Sequence, residues 1–433
     1  MKILLITDEI WNDRVFGNNV LENWFNDMPD VELAQIGCLP GKPFNKMCKL
    51  YFQLTDSMMA KSIFGSRAGH PFTMSVEEMQ SHPQAASYIS LSPFYSFMKK
   101  ISGTPVRLAR ELIWSIGRYN KTALQKFIND FNPDIVFCPR LSTWKLMRLE
   151  KTVSRMTKAP FVGFTADDEA SFREYSLSPL YWINRFIFHY AFAKHIKLFK
   201  HYFTFSQDQC SEYTAQYGIP TSTLYKCGVF PIQYNPKLTN NGPIRLVYAG
   251  RLYCNRWKSL AEIGKALKII NCDSVRMVLD VYTQEKITDK QRKELSEENY
   301  IFIKGAVSPA ELKDVYRNAD IALHVESFDR VNRLRTRVSF STKIIDLMAS
   351  TCAIMAVCWE EHTGYKYLKE KDAAFCVNSY EKILPQLQQI VDHPKLIDNY
   401  ARKAYLCGIE NHTREKIQPQ IISIFQGIIK QSL

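Results

Sequence analysis

What the chain lacks narrows its function first. None of its 433 residues fall in an apolar run approaching the ~18–20 residues needed to span a bilayer. The opening Ile3-Leu4-Leu5-Ile6-Thr7 is too short for a secretory signal, and Asp8-Glu9 follow it at once. It reads as a first buried strand. None of the 11 cysteines has a C-x-x-C partner, and the 9 histidines do not group with them in the sequence. Reduced thiols, no zinc and a cytoplasmic location are therefore expected. No G-x-G-x-x-G follows the first strand of either half, which argues against a nicotinamide dehydrogenase. No RNA-binding signature, fixed-period repeat or low-complexity tract is present. Acid is also in short supply. Asp plus Glu number 43 against 56 Lys plus Arg, a net charge of +13. That surplus points to anionic partners: phosphorylated metabolites, a lipid headgroup surface or nucleic acid. The missing signature makes nucleic acid the least favoured of these.

What is present is ordinary globular material, 46% apolar and 23% charged. The length suggests two or three domains. Short apolar runs alternate with helical periodicity. Strands are predicted at Lys2–Thr7, Val31–Ile36, Asp134–Cys138, Phe161–Thr165 and Tyr202–Phe205. In the second half they are predicted at Ile244–Tyr248, Val275–Val281, Tyr300–Ile303, Ile321–Val325, Cys352–Val357 and Ala373–Cys376. Helical patterns include Val106–Phe131 and Ser142–Met156. Ser308-Pro309-Ala310-Glu311 has the form of a capping box with Pro at the first helical position, and Gly218 suits a helix stop. This alternation predicts an α/β fold with parallel sheets covered on both faces. Three Pro and three Asn between Pro231 and Pro243 read as a linker. The expected division is an N-terminal Rossmann-like domain over 1–232, a linker over 233–243 and a C-terminal Rossmann-like domain over 244–412. A last helix over 413–433 is expected to pack back toward the N-terminal domain.

In open α/β sheets ligands gather at the carboxyl ends of strands. After the Ile244–Tyr248 strand comes Gly250-Arg251, then Arg256 and Lys258. Glycine permits close backbone approach, and paired arginines can grip a diphosphate with bidentate charge-assisted bonds. The same residues also make a plain basic loop. Further on, Ser341-Thr342-Lys343 leads into a helix with Asp346 one turn inside. The free N–H groups of a helix start suit an anion, and a carboxylate there can accept bonds from a ribose diol. An N-cap followed by a dipole-compensating acid has the same appearance. Ala166-Asp167-Asp168-Glu169 follows the Phe161–Thr165 strand. Three adjacent acids are costly to gather in a cleft unless something uses them. Otherwise they form an exposed acidic loop. Phe16-Gly17-Asn18-Asn19-Val20 forms a Gly-Asn turn after the first strand.

Taken together, Gly-Arg-(x)4-Arg, Ala319-Asp320-Ile321 and Ser-Thr-Lys-Ile-x-Asp-x-Met-Ala-Ser resemble the donor half of the family-4 retaining glycosyltransferases. The resemblance implies a GT-B fold, two Rossmann-like domains with parallel sheets facing each other across a cleft. It implies a nucleotide-diphosphate sugar as co-substrate, with no cofactor and no metal. Arg251, Arg256, Lys258, Ser341, Thr342 and Lys343 would bind the donor, with Asp346 on the ribose. Gly17, Asn18 and Asn19 would form the loop against the donor phosphates and the acceptor. Asp167 and Asp168 would face the sugar, and Glu326 would stand in for an acid that the family carries eight residues before Asp346, where this chain has Val338. Thr351 stands where the family usually has Gly, and Arg330–Arg337 reads as a longer, four-arginine loop. The implied mechanism is retaining: a donor phosphate oxygen helps deprotonate the acceptor hydroxyl, while the protein stabilises the leaving diphosphate.

The implied acceptor is a glycan or a lipid-linked saccharide used in surface polysaccharide biosynthesis. Leu180–Lys200, aromatic and then basic, and Val106–Lys126, with Arg107, Arg110, Arg118, Lys121 and Lys126, would suit peripheral contact with an anionic membrane at its inner face. The aromatics would equally suit a core. Two alternatives stay open. One is a non-catalytic sugar-nucleotide-binding subunit, and the other is a sugar-nucleotide epimerase or similar enzyme on the same scaffold.

Overall fold

The computed structural model describes residues 1–13, 20–80, 104–236, 242–295 and 300–432. It comprises two compact units. Met1–Ala170, Pro179–Leu224 and Gln418–Leu433 form the first, and Ser171–Ser178 with Tyr225–Ile417 form the second.

The first unit holds an eight-stranded sheet. Its strands are β1 (Lys2–Thr7), β2 (Glu32–Gly37), β3 (Cys48–Gln53), β4 (His70–Thr73), β5 (Ile135–Pro139), β6 (Phe161–Thr165), β7 (Phe199–Thr204) and β8 (Thr221–Thr223). Their spatial order is β4-β3-β2-β1-β5-β6-β7-β8. Every pair is parallel except β3 with β4. The central strands are continuous apolar runs because helices cover both faces. Leu4, Ile6, Val136, Cys138, Phe161 and Tyr202 share one core cluster with Leu124, Phe127 and Ile128 of the helix Lys121–Phe131 and with Leu146, Leu149 and Val153 of the helix Trp144–Val153. At Gly163 a Cβ would sit 2.2 Å from the Tyr202 ring, so only glycine lets the β6 backbone lie against that aromatic. The segment Gln418–Leu433 belongs to the same core. Gln418 Nε2 donates to the Trp24 and Asn26 carbonyls at 3.0 and 2.8 Å, and Phe425 packs against Phe137 and Phe203.

The second unit holds six parallel strands: β9 (Ile244–Ala249), β10 (Met277–Tyr282), β11 (Ile301–Gly305), β12 (Ile321–Val325), β13 (Ala353–Val357) and β14 (Phe375–Val377). Their order is β11-β10-β9-β12-β13-β14. Leu246, Leu279, Leu323 and Met355 form its centre with Leu260, Ile263 and Leu267 of the helix Arg256–Ile270. The box at Ser308 forms: its side chain accepts from Glu311 N, and Glu311 answers to Ser308 N. Gly218 ends its helix in the left-handed conformation, at φ 66°.

Three features differ from the sequence reading. The Val106–Phe131 pattern is two helices, Thr104–Ile116 and Lys121–Phe131. The chain breaks after Gly117 because Arg118 N donates to Ser62 Oγ (2.9 Å) and Tyr119 bridges to Ala68; Asn120 then caps the second helix. The four-arginine segment is not a loop throughout, since Arg330–Arg335 is helical. Strands β3, β4 and β8 carried no prediction.

Candidate functional site

Each sheet has a point where strand order reverses, and the crevice outside the strand carboxyl ends at that point is where ligands bind in such folds. In the second unit the reversal lies between β9 and β12. Gly250-Arg251 leaves β9 there, and Glu326 leaves β12. Arg256, in the first turn of the following helix, reaches across. Its Nε donates to Glu326 Oε2 at 3.0 Å and its Nη2 to Oε1 at 2.6 Å. Glu326 is only 2% exposed. Burial opposes the charge on Arg256, but the Glu326 carboxylate more than offsets this and holds the guanidinium above its ordinary pKa. Cys254 and Asn255 both adopt left-handed backbone, which makes the tight entry into this helix.

Lys343 converges on the same place. Its Nζ lies 3.3 Å from the Ala249 carbonyl. A Cβ at position 250 would sit 2.1 Å from that Nζ, so any other residue there would push the lysine head aside. Burial, followed by the nearby Arg256 charge, pushes Lys343 down to about 8; Arg251 acts in the same direction. Arg251 itself is exposed and has no carboxylate partner among the described residues. Ser341 and Thr342 precede the helix Lys343–Ala349, and neither side chain caps it. Their carbonyls accept from Ile344 N and Ile345 N at 3.0 and 3.3 Å. Asp346 is half exposed and accepts from Lys226 Nζ at 2.7 Å. Lys258 Nζ is bound to Asp329 at 3.1 and 3.3 Å rather than standing free. Asn255 Nδ2 donates to the same carboxylate at 2.6 Å. Thr351 adopts φ 59°, the left-handed region that glycine fills most easily.

In the first unit the three adjacent acids are placed differently from one another. Glu169 turns inward. It accepts from Ser142 N (2.5 Å), Tyr202 Oη (2.8 Å), Tyr213 Oη (3.2 Å) and Arg140 Nη1 (3.4 Å), and burial raises its pKa. Arg140 is wholly buried and also forks onto Glu150 at 2.6 and 2.8 Å. Burial acts to raise the Glu150 pKa, yet Arg140 and His195 hold it at about 2. One acid of the three is thus structural, balancing a buried guanidinium. Asp168 lies 3.4 Å from Arg185, and Asp167 is exposed, with its carbonyl accepting from Gln209 Nε2 at 2.8 Å. Gly17, Asn18 and Asn19 lie outside the described residues.

Sequence reasoning passed over several charged groups at the other reversal point, between β1 and β5. Asp8 follows β1 and Lys145 opens the helix after β5; they form an ion pair in which the lysine is fully buried. Burial works against the charge on Lys145, but Asp8 holds its pKa above the ordinary value. Asp13 accepts from Trp11 Nε1 at 2.5 Å and is pushed by burial up to about 7, with Glu22 adding to the rise. A search of strand carboxyl ends for charge of either sign would have found Asp8 and Lys145. The structure also groups two histidines with a cysteine, contrary to the sequence expectation. The ligand-type atoms of His324, Cys358 and His362, all buried, lie within 4.8 Å of one another. They come from β12 and from the segment after β13, far apart in sequence. His362 Nδ1 already accepts from Gly364 N at 3.2 Å, and three groups fall short of the four of a closed structural zinc site.

No protein-family model matches the sequence, and no curated protein matches it. Solved structures do. Sucrose-phosphate synthase from Thermosynechococcus elongatus superposes with a TM-score of 0.60 at 11% identity, covering 100% of both chains. The UDP-forming α,α-trehalose-phosphate synthase from Burkholderia xenovorans, in complex with glucose-6-phosphate, gives 0.59 at 9% identity over 98% of this chain and 100% of that one. An E. coli structure described as trehalose-6-phosphate, bound with UDP-2-fluoro glucose, gives 0.58 at 9% identity over 98% and 99%.

Proposed function

This chain has the GT-B fold, and on that premise we propose that it transfers a sugar from a nucleotide-diphosphate donor to a hydroxyl acceptor. The observation that carries this reading is the meeting of Arg251, Arg256 and Lys343 at the reversal point of the second sheet, where Glu326 is bound to Arg256 and acts with Asp346 on Lys343. Burial first, and then the neighbouring Arg256 and Arg251 charges, lower the pKa of Lys343, a cost that a bound diphosphate would recover. A UDP-forming synthase and a complex with UDP-2-fluoro glucose among the structural neighbours support a donor of this class.

In this reading Arg251 and Lys343 contact the diphosphate, and Arg256 presents Nη1 to it while Glu326 holds the rest of its fork. Glu326 is then a positioning residue. Asp346 and Lys226 take the ribose, Ser341 and Thr342 flank the phosphates, and Lys258 anchors the loop through Asp329. As the glycosidic carbon–oxygen bond breaks, charge grows on the leaving diphosphate, where preorganised cations stabilise it most. The acceptor hydroxyl loses its proton to a donor phosphate oxygen and bonds to the anomeric carbon on the same face, giving retention. Asp167 and Asp168 orient the acceptor or sugar. Neither a metal nor another cofactor enters the scheme.

A glycan or lipid-linked saccharide acceptor, a role in surface polysaccharide biosynthesis and a cytoplasmic site at the membrane face complete the proposal. Among the described residues no helix is long and apolar enough to cross a membrane. The helix Pro179–His195 leaves Leu180, Ile183, Phe186, Ile187 and Tyr190 each more than half exposed, with Lys194 and Lys197 near its end. That pattern supports peripheral contact.

The decisive experiment is calorimetric titration with UDP and GDP, followed by a thermal-shift screen of their sugars. Arg251→Ala is expected to weaken diphosphate binding by about 10- to 100-fold, the worth of one charge-assisted contact. Unchanged affinity removes the phosphate assignment. Asp167→Asn and Asp168→Asn are expected to cut turnover more than donor affinity. A second reading, a non-catalytic donor-binding subunit, is favoured by one observation: Glu326 is engaged by Arg256, and buried Val338 stands where the resembling family carries an acid. Tight donor binding without transfer to any acceptor would select it.

A further inference from the structure

The loop between the helices Thr104–Ile116 and Lys121–Phe131 lies beside the outer face of the helix Trp144–Val153. Between them is a concavity of about 420 Å³ lined by Arg67, Arg118, Lys121, Arg148, Lys151 and Arg155. No acidic residue lines it, and none of the six cations has a carboxylate partner among the described residues. The volume falls within the roughly 300–1,000 Å³ of small-ligand sites.

The pocket is built rather than merely basic. Ala68 N donates to Arg118 O at 2.9 Å and Asn120 N to Ala68 O at 2.7 Å, which fixes the backbones bearing Arg67 and Arg118 side by side. Arg148 stacks over the Tyr119 ring at 5.2 Å, and its Nη2 donates to Gly117 O at 3.3 Å. Its Nη1 is buried with no partner, and so is the hydroxyl of Tyr119, a residue only 4% exposed. Buried polar atoms are nearly always satisfied, so these two leave unused hydrogen-bonding capacity in the pocket wall, just beneath its surface. The pocket is separate from the candidate site. The helix Trp144–Val153 starts at the carboxyl end of β5 and runs back toward the amino edge of the sheet. Arg148, Lys151 and Arg155 therefore lie progressively farther from the edge that bears Asp167 and Asp168.

Four of the six cations are arginines, whose planar forks match phosphate oxygens in bidentate fashion. One phosphate would leave most of this charge unneutralised. We propose that the pocket binds a ligand carrying several clustered phosphate groups, either free in solution or as the headgroup of an anionic lipid. Ile116 at the rim and Leu112 one turn earlier are more than half exposed, and a headgroup would bring acyl chains to them. The proposal is independent of the glycosyl-transfer reading.

The test uses the full chain and two probes: tripolyphosphate by titration, and vesicles of phosphatidylinositol 4,5-bisphosphate in phosphatidylcholine by co-sedimentation. Lys151→Glu/Arg155→Glu changes exposed positions on one wall, and Arg118→Glu/Lys121→Glu changes the other. Each pair is expected to weaken binding of at least one probe by about tenfold or more, with a steep dependence on salt. Lys313→Glu/Lys395→Glu, of equal charge change elsewhere, is expected to retain it. Arg251→Ala is expected to leave this component intact, which separates it from the donor site. Tripolyphosphate binding alone identifies a soluble ligand, and vesicle binding identifies a headgroup. The proposal is overturned if neither probe binds, if the pocket pairs bind as well as the unaltered chain, or if the control pair loses as much. Sulfate competing as well as tripolyphosphate, or binding confined to RNA, overturns it too.

Discussion

Lys343 is placed to report on its ligand through pH. Burial and the Arg256 charge leave it near 8 without an anion, so it is mostly protonated at pH 7 and mostly neutral at pH 9. An anion needs the charged form. Affinity for a nucleotide diphosphate is therefore expected to fall as pH rises through 8, beyond any change shown by Lys343→Met. Titrations at pH 7 and 9 on both proteins check this, and parallel pH profiles would detach Lys343 from the phosphates. Thr351 offers a different residue-scale test. A β-branched side chain at φ 59° is strained by roughly 1–2 kcal/mol, of which glycine's extra unfolded-state entropy recovers only part. Thr351→Gly is expected to stabilise the protein by about 0.5–1 kcal/mol in urea denaturation. A destabilised variant would show that the threonine side chain makes a compensating contact.

At the scale of elements, strands were legible where a buried parallel strand is a continuous apolar run. β1, β6 and β12 begin and end where the sequence placed them, and the others shift by one to three residues. β3 was missed because Lys49 interrupts its apolar pattern, and β4 because His70-Pro71 reads as a breaker. β8 is only Thr-Ser-Thr. All three lie at or near a sheet edge, where less burial is demanded of the sequence. The position of a candidate residue at a strand's carboxyl end was legible when it followed the strand closely, as Arg251 and Glu326 do. The Asp8–Lys145 pair and the His324–Cys358–His362 group were not, because each joins distant segments and spacing carries no trace of them. Nor does sequence show that Glu169 turns in toward a buried Arg140 and Asp168 lies covered against Arg185 while Asp167 stays exposed. The helix Arg414–Ser432 supplies an element-scale test. Phe425 is fully buried against Phe137 and Phe203. Phe425→Ala is expected to cost about 3–5 kcal/mol, read as a lower denaturation midpoint. A loss under 1 kcal/mol would mean that this helix is loosely attached.

The whole molecule divides into two cores, each with its own parallel sheet. A donor gripped at the β9–β12 reversal point stabilises chiefly the unit that holds it. Saturating nucleotide diphosphate is therefore expected to slow hydrogen exchange most in peptides spanning β9, β12 and the start of the helix Arg256–Ile270, with little change in β1 and β5. Equal protection in both sheets would place the ligand elsewhere or couple the units tightly. The +13 charge is likewise unevenly used. Arg140, Arg185 and Arg256 are engaged by carboxylates, whereas among the described residues the six cations of the 420 Å³ pocket are not.

The return of Gln418–Leu433 to the first core has a bearing on synthesis. A ribosome releases Met1–Leu224 long before Gln418 and Phe425 exist, so the first sheet emerges with the seat for Phe425 empty. The second unit, drawn from Ser171–Ser178 and one unbroken stretch, reaches full length sooner than its elder neighbour can finish. The order of completion is thus the reverse of the order of appearance, and until the last helix arrives the nascent first unit exposes Phe137 and Phe203 to whatever chaperone is near.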